Sequence, residues 1–380
     1  MTLRIVVSGW AAPFPLAGFL WHPLSFALGF RDLGHEVWYL EDSGDEPRGY
    51  DPVAHEEDAF CTAGVRFLAD ELARVGLDGR WMFRHVPTGR WLGICEDEAR
   101  HVLSSADVLV NVSLSTPMRP EYRRIPHRLA IDTDPVFTQI HIAQGNPVLA
   151  PVPETHTRLF TFGRPPLPAQ GHDWVPTRQA VATRYWPVAP EASAGAPFTS
   201  VTSWRAYPAV TWDLVEYGAK DRSFRQFADL PSQTRVPLEI SLGGGADHDG
   251  AEFLRGHRWR VGNPIAATRS TEAYRRFISN SAGELGFAKH GYVAARSGWF
   301  SERSCCYLAS GRPAVVQDTG WTEWLPSGEG VLPFSTPDQA VAALEAVAAD
   351  PDRHRRAARK LVEEHFQAAP VCAELLERGL

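Results

Sequence analysis

Short apolar runs alternate along the chain with longer amphipathic stretches. Arg4–Ser8 is a β-rich run, and residues 9–18, with two glycines and two prolines, read as a loop. Residues 21–33 carry helical periodicity and stop at Gly34, and residues 36–40 form a second strand-like run. A strand–helix–strand opening predicts a parallel sheet. The alternation continues with helices over 60–75 and 96–105 and strands over 108–112, 129–131 and 158–162.

The pattern breaks once. Residues 187–197 read Pro-Val-Ala-Pro-Glu-Ala-Ser-Ala-Gly-Ala-Pro, a small-residue, proline-rich linker. After it come strands over 198–202, 237–241, 258–261, 284–288, 314–317 and 330–333. Helices are expected over 223–228, 251–256, 271–279 and 302–310, and everything from Pro337 onward is helical. The expected fold class is therefore α/β, with two Rossmann-like halves facing a central cleft and helices at the C-terminus.

Composition narrows the function. The chain has 380 residues, 44% of them apolar and 22% charged, as in an ordinary water-soluble protein. A net charge of -7 gives nucleic acid no general attraction, so no nucleic-acid partner is expected. No run is long and apolar enough to span a membrane, and the N-terminus reads as a strand, so the expected location is the cytoplasm. The five cysteines form no C-x-x-C pair and no zinc spacing; Cys305 and Cys306 read as packed helix residues. Abundant Ala, Arg, Gly and Pro associate the chain with a bacterial source.

Candidate chemistry sits where the strands of the second half end. Those loops hold Ser203-Trp204-Arg205, Gly243-Gly244-Gly245, Gly262-Asn263-Pro264, residues 289–301 and Asp318-Thr319-Gly320. The loop before the helix at Glu302 carries Lys289, Arg296, Ser297, Gly298 and Ser301, with Glu302 and Arg303 in the first helical turn. A helix N-terminus with two added cations is an anion site, suited to a diphosphate. The plainer reading makes Ser301 an N-cap and the cations surface charges. Asp318 reads equally as an acceptor for sugar hydroxyls and as a turn-former. The triple glycine lacks the G-x-G-x-x-G spacing, and Asp247-His248-Asp249 reads as turn residues rather than metal ligands. The basic stretch 353–360 reads as the solvated face of a helix. Trp174, Trp204, Trp299 and Trp321 lie near strand ends, where they serve either a ligand wall or the core.

The run "GFAKHGYVAARSGWFSERSCCYLASGRPAVVQDTGW" resembles the donor-binding region of GT-B glycosyltransferases, and "GFLWHPLSFALGFRDLGHEVWYL" supports the likeness in the first half. The resemblance implies an acceptor domain over 1–190, a nucleotide-sugar domain over 191–360 and a final helix, 361–380, crossing back. It implies transfer of a sugar from a nucleoside-diphosphate-sugar to a small-molecule acceptor in bacterial natural-product biosynthesis, with no cofactor and no obligate metal. Lys289, Arg296, Ser297, Ser301 and Arg303 would hold the diphosphate. Glu302 and Asp318 would hold donor hydroxyls, with polar contacts from Ser203, Thr319 and Gly320.

Two departures matter. Gly298 and Cys306 stand where many retaining members carry a glutamate pair, and Phe19 stands where many inverting members carry the histidine base. Phenylalanine cannot take a proton, so retention is favoured over inversion. His22, three residues further along the same helix face, and Asp134 are the candidate catalytic groups besides Glu302. Asp132 and His156 end or precede neighbouring strands. Each also has a structural reading: His22 as a packed ring, Asp134 as a turn before Pro135, His156 as a loop residue. Two further readings stay open: a sugar-nucleotide epimerase or hydrolase, and a non-catalytic nucleotide-binding scaffold.

Overall fold

The computed structural model describes residues 2–205, 208–243 and 248–380; Gly244, Gly245 and Asp247 lie outside the described residues. Two sheets organise the chain. The first runs Trp174–Pro176, Arg158–Thr161, His127–Asp132, Val108–Val112, Arg4–Ser8, Glu36–Asp42, Trp81–His85 and Arg90–Leu92, and only the last strand is antiparallel. The second runs Arg260–Gly262, Leu238–Gly243, Phe198–Ser203, Gly283–Gly286, Ala314–Gln317 and Val331–Phe334, all parallel. In both, the first strand is central, and the chain winds outward to one side before returning to build the other. Each sheet thus has a crevice beyond the strand ends, where its order reverses. Helices cover both faces of the sheets, which is why the central strands are nearly continuously apolar.

The strands at Trp81–His85, Arg90–Leu92 and Trp174–Pro176 were not anticipated. They are the outer strands of the first sheet, and neighbours rather than alternation make them strands. The first helix spans Ala17–Asp32, starting earlier than its apolar pattern suggested. Among the described residues, no helix is long and apolar enough to cross a membrane.

Arginines fasten the segment between the sheets. Arg275 donates to Tyr185 O at 3.0 Å, Arg359 to Trp186 O at 2.7 Å, Arg355 to Ala189 O at 2.8 Å and Arg312 to Pro190 O at 2.8 Å. The basic stretch 353–360 is therefore a solvated face only in part: Arg353, Arg356 and Lys360 are exposed, and His354 is buried. Arg355 and Arg359, one turn apart, point to the linker, while Arg353 makes an exposed pair with Glu329. The final helix, Ala368–Gly379, packs on the first, Ala17–Asp32. Gly29 allows this contact, since a Cβ there would strike Cys372 Sγ and the Ala368 carbonyl. Arg178 grips Glu374 with two bonds of 2.6 Å on the same side.

Candidate active site

The carboxyl edge of the second sheet gathers charge beside its order reversal. Glu284 lies in the strand Gly283–Gly286 and is fully buried. Its Oε1 accepts from Arg303 Nε at 2.6 Å, and Arg303 Nη1 also donates to Val201 O at 3.0 Å. These bonds pin the start of the helix Glu302–Ala309 onto the two strands flanking the reversal. Glu302, half-buried, keeps Oε1 enclosed without a hydrogen-bond partner. Burial pushes its carboxyl up to about 7, and the nearby Glu284 adds to the effect while Arg303 opposes it.

Lys220 completes this cluster, and the sequence analysis missed it. It opens the short helix Lys220–Phe224, beyond a hairpin that follows the strand Phe198–Ser203. Its Nζ donates to Thr202 Oγ1 at the end of that strand. Desolvation lowers the ammonium pKa well below its usual value, and the charges of Arg303 and Lys289 lower it further, against Glu284 and Glu302. A cation held among cations gains when an anion arrives. The available signal was positional: Lys220 lies in the connection leaving the first strand of a Rossmann-like half.

The loop residues separate. Ser301 takes the N-cap position, yet its side chain makes no capping bond. Ser297 is fully buried; its carbonyl accepts from Arg164 N at 2.7 Å, tying the loop to the first half. Arg296 points outward to Glu323 at 2.6 Å, both side chains being more than half exposed. Thr319 is buried and donates to Trp299 O at 2.5 Å. Asp318 accepts from Gly320 N at 2.9 Å and from the Thr322 hydroxyl at 3.3 Å, forming a turn in which Gly320 takes φ +91°. Ser203 ends its strand beside Gly243. Cys305 and Cys306 are buried. Trp174, Trp204 and Trp321 are core residues, whereas Trp299 stacks on Tyr292 at 4.4 Å and donates to Thr133 O.

The first half meets this loop. Asp132 is buried and accepts from Thr138, Gln139, Thr161 and the Asp134 backbone at 2.7–2.9 Å. Those bonds fix the turn that presents Asp134, whose carboxylate bonds Lys289 Nζ at 2.9 and 3.0 Å and accepts from the Tyr292 hydroxyl. His22 packs tilted against Phe162 at 5.4 Å, with Nε2 enclosed and unpartnered. Burial pulls its pKa down to about 4, so the ring is neutral near pH 7. His156 is buried rather than in an exposed loop. Its Nδ1 faces Val152 O at 2.9 Å and its Nε2 the Asn111 amide at 3.1 Å, which leaves no free nitrogen for a proton.

Residues 228–378 match a protein family described as glycosyl transferase-like. The whole chain is similar in fold to solved structures. Anabaena HepE, solved with UDP and glucose, has TM-score 0.56 at 9% identity, covering 99% of each chain. AviGT4, a glycosyltransferase involved in avilamycin A biosynthesis, has TM-score 0.54 at 15% identity, covering 99% of this chain and 96% of that one. An alpha-glucosyltransferase solved with UDP-glucose and DNA has TM-score 0.56 at 10% identity, covering 100% and 99%. No curated protein matches the sequence significantly. The chain has the GT-B fold, and the likeness to the glycosyl transferase-like family lies in residues 228–378.

Proposed function

We propose that the chain transfers a sugar from a nucleoside-diphosphate-sugar to a small acceptor held by the first half. The observation that carries this reading is Lys220, a half-buried amine that donates to Thr202 Oγ1 at the strand end and feels the charges of Arg303 and Lys289. A diphosphate adds negative charge here, with Lys220 and, on release from Asp134, Lys289 as its cations and N–H groups of the first helical turn as donors. Arg303, clamped by Glu284, contributes its field and holds the helix start in place. The catalytic contribution is stabilisation of charge on the leaving diphosphate, and no metal enters this reading. The unpartnered Glu302 Oε1 is set to accept a donor hydroxyl.

The reading favours UDP as the nucleotide, since HepE and the DNA-bound alpha-glucosyltransferase were solved with UDP or UDP-glucose. The neutral His22 and Phe19 one turn before it favour retention, although the glutamate pair of many retaining members is absent, with the leaving phosphate helping to deprotonate the acceptor. Likeness to AviGT4, involved in avilamycin A biosynthesis, supports a role in natural-product biosynthesis.

Calorimetry with UDP tests the reading. Wild type is expected to bind, and Lys220→Met to bind roughly ten- to a hundredfold more weakly. A wild-type protein that ignores every nucleoside diphosphate would sink it. Release of the donor sugar to water without any acceptor would instead favour a hydrolase.

A further inference from the structure

The loop leaving the first strand carries an aromatic cluster with no role in donor binding. Trp10 lies 5.4 Å from Phe14 and 5.9 Å from Phe19, and Phe14 lies 6.1 Å from Tyr50 (ring centroids). Trp10 is 37% exposed and Phe19 46%, an unusual cost for large apolar rings. The cluster is rigidly built. Both carboxylate oxygens of the buried Glu41 accept from the loop, from Ala11 N and Ala12 N at 2.7 Å, and Tyr39 steadies the same carboxylate. Tyr50 N donates to Pro13 O at 2.9 Å. The helix Thr62–Arg74 presses on Ala12 at Gly64, where a Cβ would strike the Ala12 carbonyl.

The cluster is continuous with the donor side. Phe19 lies one helical turn before His22; His22 packs against Phe162, and two residues on, Arg164 N donates to Ser297 O in the donor loop.

Its border is acidic. From Glu41 to Asp58 the chain carries eight carboxylates and one arginine; Glu41 and Asp42 are buried and Arg119 pairs with Asp42 and Asp45, so the exposed border charge comes chiefly from Glu46, Glu56 and Glu57. Tyr50 pairs across a two-stranded ribbon with Glu57, and Asp51 with Glu56. Glu56, Glu57 and Glu46 are exposed, and Arg48 is already 3.9 Å from Glu46.

We infer, resting on the glycosyl-transfer reading above, that the acceptor is a small molecule with an aromatic ring and no negative charge, seated on Trp10, Phe14, Phe19 and Tyr50. Flat rings stack on this surface. The carboxylates tolerate neutral acceptors, attract cationic ones and repel anionic ones, nucleic acid included.

The test is calorimetry on the full chain, with and without UDP, using tyramine, 4-hydroxyacetophenone, 4-hydroxybenzoate and a short DNA duplex as probes. Tyramine and 4-hydroxyacetophenone are expected to bind at least about tenfold tighter than 4-hydroxybenzoate or DNA. Trp10→Ala/Phe19→Ala should weaken both phenols by about tenfold while the UDP affinity stays unchanged. Glu56→Lys/Glu57→Lys should raise 4-hydroxybenzoate binding towards that of tyramine, a gain that misfolding cannot mimic. The inference is overturned if 4-hydroxybenzoate or DNA binds as well as tyramine, if the aromatic double variant changes nothing, or if UDP binds and none of the phenols does. Loss of UDP binding in wild type would refute the donor reading instead, and it is read in a separate titration.

Discussion

Lys289 Nζ lies 2.9 Å from Asp134 Oδ1, so a cation of the proposed donor loop is held by a carboxylate of the opposite half. The Tyr292 hydroxyl bonds the same carboxylate, and the Lys289 ammonium lies 5.3 Å from the Tyr292 ring. A diphosphate must compete with Asp134 for Lys289. Asp134→Asn removes the competing charge, and a half-buried ion pair of this kind is worth about 1 kcal/mol or less. UDP affinity should therefore rise by up to about fivefold, read by calorimetry. An unchanged affinity would show that Lys289 does not move to phosphate.

Lys220 gives an opposite pair of effects from one substitution. Its charge is disfavoured in the folded chain, so Lys220→Met should raise the melting temperature of the nucleotide-free protein while weakening UDP. A variant that loses stability and UDP affinity together would mark Lys220 as a structural residue.

Acid stability carries opposing contributions from buried groups: His156 and His22 on one side, Glu41 and Glu302 on the other. Burial holds His156 at about 4 against 6.5 unfolded, so between those values the unfolded chain binds the extra proton. Stability then falls as pH drops through that window, by at most about 3 kcal/mol. Glu41 runs the other way. Burial raises it from 4.5 to about 7, the folded chain holds the extra proton there, and stability falls as pH rises through the window. Glu41→Gln removes the Glu41 contribution. Urea unfolding between pH 4.5 and 6.5 should show a steeper rise of stability with pH in this variant than in wild type.

The linker arginines predict local opening. Arg355→Ala/Arg359→Ala removes the bonds to Ala189 O, Trp186 O and Ala309 O. The expected cost is roughly 2–4 kcal/mol. Hydrogen exchange should accelerate around 185–190 and leave the central strands of both sheets protected. Uniform loss of protection would mean that the arginines support the whole fold rather than the linker alone.

Much of the architecture is legible from local pattern. The strands at Val108–Val112 and Ala314–Gln317 and the helix at Thr271–Ser279 fall where their apolar runs and stops put them. Each is central or strongly amphipathic, so burial and periodicity agree. The strand Trp81–His85 was invisible because its register comes from Tyr39 to Asp42 of the neighbouring strand. Arg355 and Arg359 looked solvated because sequence does not say which carbonyls lie opposite a helix face. Asp318 left two readings open, and its bonds to Gly320 and Thr322 form the turn.

The sequence by itself determined two alternating α/β halves, the strand-end loops and the absent glutamates at Gly298 and Cys306, since these depend on residue type and short-range periodicity. Only the tertiary structure brought Lys220 to Arg303 and Lys289, Asp134 to Lys289, and Trp10 to Phe14 and Phe19 on a loop clamped by Glu41. The Lys220 and Asp134 contacts join residues tens to more than a hundred positions apart, while the aromatic rings, close in sequence, gather because Glu41 clamps their loop. Their chemistry comes from shared burial and field, which exist only once the chain has folded.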